Sequence, residues 1–128
     1  MTDRPNSAPR PRIALSLRVA ASGAAQQAAL DAWLDDPAER ATQSDEIRRI
    51  VIAQAAFSDL QAPPAVTVVR LAAGCVCCVG QLPLRVTLTR AVRQRPDAIL
   101  LLLADDQHQS QVRQMLQTNE WSGALYLV

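Results

Sequence analysis

Ile99-Leu100-Leu101-Leu102-Leu103 is a run of five aliphatic residues with no polar position on either face. A half-solvated strand alternates apolar with polar residues, so an unbroken run of this length fits a strand covered on both sides, as in the interior of a parallel sheet. Parallel neighbours need long crossovers, usually helical. This run therefore points to an α/β layered domain.

The rest of the chain is consistent with that demand. Arg12 to Val19 alternates as a first strand, and Ala20-Ala21-Ser22-Gly23 is a small-residue turn. Ala24 to Leu34 has high helix propensity, with Ala25, Ala29 and Trp33 at helical spacing, and is expected to end near Pro37. Thr42-Gln43-Ser44-Asp45 resembles a capping box, and Ile47, Ile50, Val51, Gln54 and Phe57 after it predict a second helix, with Ile50 to Ala53 open to an extended reading. Val66 to Leu71 is a branched strand beyond Pro63 and Pro64. Pro83 fits the first turn of a third helix carrying Leu84, Leu88, Ala91 and Val92 inward and Arg85, Arg90, Arg93 and Arg95 outward. Gln107 to Gln117 is a fourth helix, with Val112, Met115 and Leu116 apolar, and Ala124 to Val128 a last strand. The order strand, helix, helix, strand, helix, strand, helix, strand predicts a mostly parallel sheet flanked by helices.

At 128 residues, 49% hydrophobic and 20% charged, residues 12–128 make one domain with one modest core, preceded by a flexible arm over residues 1–11 rich in proline. The net charge of +1 and four aromatic residues argue against a nucleic-acid surface. The arm has no apolar segment of the secretory kind, and no apolar run approaches membrane-spanning length. The cytoplasm is the expected compartment, where thiols stay reduced.

Cys75, Cys77 and Cys78 are the only cysteines, and they follow the second expected strand, Val66 to Leu71, in Gly74-Cys75-Val76-Cys77-Cys78. Adjacent Cα atoms lie about 3.8 Å apart, too close for an ordinary disulfide between Cys77 and Cys78. Three soft donors in so short a span suit one borderline-soft ion, zinc or another divalent transition metal, and Gly74 allows the turn that makes them converge. A tetrahedral site needs a fourth ligand. Asp105, Asp106, His108, water and a group from a second chain are all candidates, since the Asp105-Asp106 turn follows a strand and belongs to the same sheet edge.

The pentapeptide resembles the Gly-Cys-x-Cys-Cys motif of the CobW-like P-loop GTPases, a family associated with metal insertion and metal homeostasis. Leu71 to Arg95 is similar to that family's strand, motif and helix, and the resemblance extends over about Arg12 to Val128. It implies a truncated P-loop NTPase-like three-layer sandwich and a metallochaperone-like role. It also exposes a departure. Arg18 to Ala25 stands where the family has its Walker A loop, and only Gly23 matches; Ala24 replaces the phosphate-binding lysine and Ala25 the magnesium-binding hydroxyl. All thirteen basic residues are arginines, so the chain has no lysine to supply that charge. Leu102-Leu103-Ala104-Asp105 falls where the family has its Glu-Thr-Thr-Gly turn. Two of the three contributions of a phosphate loop are missing, and no GTP hydrolysis is expected.

The expected function is non-catalytic metal binding by Cys75, Cys77 and Cys78, with Gly23 a vestige of a phosphate loop. Three alternatives stand beside it: an interaction module that dimerises through an exposed sheet edge or meets an acidic protein through its arginines, a weak GTP-binding metallochaperone, and a thiol-redox protein, the last disfavoured by the lack of Cys-x-x-Cys spacing.

Overall fold

A computed structural model describes residues 12–35, 48–54, 60–71, 82–104, 106 and 109–128. In chain order these form β1 (Ile13–Val19), α1 (Gly23–Leu34), β2 (Arg49–Gln54), β3 (Val66–Leu71), α2 (Leu82–Arg93), β4 (Ala98–Leu103), α3 (Gln109–Leu116), α4 (Asn119–Ser122) and β5 (Leu125–Leu127). The five strands form one sheet in the order β3-β2-β4-β1-β5. Every pairing in it is parallel.

The period-2 geometry of a strand explains how the aliphatic run of β4 is used. Ile99, Leu101 and Leu103 pack on one face, with Ile13, Leu15 and Leu17 of β1, Ile50 and Ile52 of β2, Leu84 and Leu88 of α2, Val112 and Leu116 of α3, and Trp121 of α4. Ala98, Leu100 and Leu102 pack on the other, with Val51, Ala53, Leu30 and Trp33. Both tryptophans are core residues. An alternation of apolar with polar positions is not needed in β4, because each face has its own helical cover.

The order of the strands accounts for which helix covers which face. From β1 the chain moves through α1 toward β2 and then β3, and it returns through α2 to β4 and through α3 to β5. Crossovers of one hand running in opposite directions must leave their helices on opposite faces. Leu30 and Trp33 of α1 accordingly lie against one face, and α2, α3 and α4 against the other.

Residues 49–54 correct the expected second helix. The segment is a strand, buried at all positions, between β3 and β4. Its Arg-Ile-Val-Ile-Ala-Gln sequence is dense in β-branched residues, which pack well on a pleated surface and are neutral to poor in helices. The helical spacing around it is a coincidence of a run apolar on both faces. Residues 42–45 and Phe57 lie outside the described residues.

Smaller differences occur at element ends. The short helix α4 has no counterpart among the expected elements, and α2 ends at Arg93, so Arg95 lies beyond the helix rather than in its last turn. Arg85 pairs with Glu120 of α4, whereas Arg93 is exposed. Among the described residues no helix is long and apolar enough to cross a membrane.

Candidate functional site

In an open α/β sheet, ligands collect beyond the carboxyl ends of the strands, where neighbouring strands send their connections to opposite faces. Here those neighbours are β1 and β4. The chain leaves β1 toward α1 on one face and leaves β4 toward α3 on the other. The crevice between Val19 and Leu103, which are register partners, is thus the topological switch point.

At that edge the turn from β1 into α1 is only Ala20-Ala21-Ser22. The Ala20 amide donates to Leu103 O at 2.8 Å and extends the ladder past the last paired strand residue. Ser22 is extended and caps α1, its Oγ accepting from the Ala25 amide at 3.0 Å and its carbonyl from the Gln26 amide at 2.9 Å. Gly23 is the first helical residue. The candidate phosphate glycine therefore opens a capped helix behind a tight turn, beside the switch point.

Two glutamines, neither among the expected site residues, tie this edge together. Gln26 is fully buried, and its Nε2 donates to Gln54 O at 3.1 Å. The Gln54 side chain in turn accepts the Ala104 amide on its Oε1 at 3.0 Å. One amide pair thus links α1, the end of β2 and the residue after β4. Gln26 Oε1 has no hydrogen-bond partner among the described residues. The only signal in the sequence is the polar residue that ends the apolar run of β2.

Of the expected metal ligands, Cys75, Cys77, Cys78, Asp105 and His108 lie outside the described residues, as does Gly74. Asp106 is described; it is exposed, and its carbonyl accepts from the Gln109 amide at 3.3 Å as α3 begins. Among the described residues no three His, Cys, Asp or Glu side chains come together as a metal-holding group. The strand that precedes the cysteines, β3, ends at Leu71 on the same carboxyl edge as β1 and β4. It is an outer strand, two strand spacings from β4, or about 10 Å at ~4.8 Å per spacing.

No family model, curated protein or solved structure matches the chain.

Proposed function

We infer that the chain is a non-catalytic protein that binds a divalent transition metal, zinc by the softness of its donors, through Cys75, Cys77 and Cys78. The observation that carries this reading is the position of the cluster in the chain: three thiols begin shortly after Leu71, at the carboxyl end of a parallel strand, where an architecture of this kind collects ligands. Three thiolates leave one place of a tetrahedral ion open. Asp105, Asp106 and His108 follow β4 in the chain and are the candidates within it, together with water or a second copy.

The fold class of the reading is a shortened P-loop-like domain in metal homeostasis, on the resemblance of Gly74 to Cys78. What supports a loss of nucleotide chemistry is the chain's own sequence and turn: no lysine, alanines at 24 and 25, and an Ala20 amide committed to Leu103 O. An amide held in a sheet ladder cannot also cradle a phosphate. Titration of reduced, metal-free protein with cobalt tests the reading. A stoichiometric thiolate charge-transfer band that vanishes on replacing the cysteines is expected, and its absence in the unsubstituted protein would overturn it.

A second reading, assembly through a sheet edge, is favoured by β5. It is the outermost described strand on the β1 side of the sheet, and its Tyr126 is 43% exposed. Solution mass measured with and without chelator separates the two readings.

A further inference from the structure

The opposite edge of the sheet holds a cavity of ≈ 420 Å³, lying where β1, β4 and β5 begin. Its size is that of a small-molecule site. Ile13, Val92 and Pro96 are its larger apolar lining residues, and Arg12 and Arg95 are its two basic ones. Asp97 is its one acidic residue, and Asp97 Oδ2 is engaged by the Arg48 amide at 2.8 Å. The lining therefore has an excess of positive charge beside hydrocarbon.

Both arginines are placed at some expense to the fold or with unusual support. Arg95 has φ 52°, the left-handed conformation, and is the only non-glycine with positive φ among the described residues. That position, just past the end of a helix, is normally taken by glycine or asparagine, because a Cβ is disfavoured there. Backbone strain of this kind concentrates where a side chain serves a ligand. Arg12 stands over the Tyr126 ring, 5.3 Å from its centroid, and its Nη1 reaches Ser122 O at 3.4 Å. A guanidinium has five N–H donors, so these contacts orient Arg12 and leave donors for an anion.

We propose that this cavity binds a small organic anion, a carboxylate or phosphate head held by Arg12 and Arg95 with an apolar body against Ile13, Val92 and Pro96. The site is independent of the cysteines, which come after the carboxyl end of β3, whereas the cavity lies at the amino ends of the strands. Planar guanidinium groups recognise both heads through paired N–H donors, so the shared chemistry is an oxyanion on a compact apolar group.

The full chain, labelled with ¹⁵N, is titrated with benzoate, with phenyl phosphate and with neutral benzyl alcohol, following the Arg95, Gly123 and Ala124 amides. Saturable shifts at these amides with at least one of the two anions are expected; benzoate alone identifies a carboxylate site and phenyl phosphate alone a phosphate site. Arg95→Gly should weaken binding tenfold or more while the melting temperature stays level or rises, since glycine suits φ 52°. Gly123→Leu gives a second check, because Gly123 has right-handed backbone, borders the cavity, and a Cβ there meets nothing within 4 Å. It should block the anion and leave the fold intact. The proposal is overturned by no saturable shift with either anion, by equal affinity for benzyl alcohol, or by undiminished binding in both variants.

Discussion

Gln54 accepts the Ala104 amide on its side-chain oxygen at 3.0 Å, so a side chain continues the β2–β4 ladder beyond the last paired residues, Ala53 and Leu102. Backbone amides left unpaired at the end of a buried strand are costly, and this contact removes one such amide. The same residue's carbonyl receives Gln26 Nε2, so the ends of two interior strands and the first turns of α1 are held by one amide pair.

Gln54→Ala should lower stability by about 1–3 kcal/mol, the penalty for leaving a donor at this edge without its acceptor. Gln26→Leu should cost less, about 1 kcal/mol or under. It removes one hydrogen bond but also the Gln26 Oε1 acceptor that has no partner among the described residues, and leucine nearly fills the space. Urea unfolding of both variants measures the difference. Equal losses would mean the Ala104 contact is not what Gln54 contributes.

Ile52→Ala tests the assignment of residues 49–54 as an interior strand. Ile52 is fully buried in the larger core cluster, and truncating such a side chain typically costs about 2–5 kcal/mol. On a solvent-facing helix surface the same change would be nearly neutral. A loss below about 1 kcal/mol in the urea midpoint analysis would contradict the strand.

How far the fold was legible follows from the same residues. The aliphatic run of β4 was readable because burial on both faces leaves no other use for it, and β3 was readable from its β-branched residues, although as an outer strand it is buried only at Val66 and Leu71. β2 carries the same kind of run, but the capping-like Thr42 to Asp45 and the spacing of Ile47, Ile50 and Gln54 also satisfy a helical period, and local pattern cannot choose between two periods in an apolar segment. α4, four residues long, is too short to show periodicity at all. The Gln26–Gln54 pair joins positions far apart in the chain, so its partners exist only once β2 lies between β3 and β4. The cysteine cluster is proposed as a metal site from its spacing, and Cys75, Cys77 and Cys78 lie outside the described residues, as do Asp105 and His108.

Glu120→Gln should change stability by less than about 0.5 kcal/mol. Arg85 and Glu120 form an ion pair between α2 and α4, but their side chains are 40% and 49% exposed, where water screens the attraction and ordering two long side chains offsets it. Thermal unfolding at low and high salt should give nearly the same small difference. A loss above about 1 kcal/mol would show that α4 depends on this contact rather than on buried Trp121.

Nucleotide binding is expected to be absent. A magnesium-dependent complex with a non-hydrolysable GTP analogue needs a cation on the outer phosphates and a hydroxyl on the metal, and Ala24 and Ala25 offer neither. Isothermal titration should show no magnesium-dependent heat. Restoring only Ala24→Lys should still leave binding weak, because Ser22 and Leu103 continue to occupy the Ala25 and Ala20 amides at the turn.

Metal binding should weaken as pH falls, and the sign follows from the ligands. A thiol binds as thiolate, so each coordinated cysteine releases its proton; raising the proton concentration drives the equilibrium back toward metal-free protein. Cys75→Ser, Cys77→Ser and Cys78→Ser should each lower zinc affinity by more than about tenfold, since each removes one of at most three sulfur donors. Competition against a chromophoric chelator at two pH values measures both effects together. If the three thiols share one ion, the double and triple replacements should lose little beyond the first, because the site fails as a unit. A metal stoichiometry that falls with each replacement while the affinity of the remaining sites is unchanged would instead mean that the sulfurs bind separately.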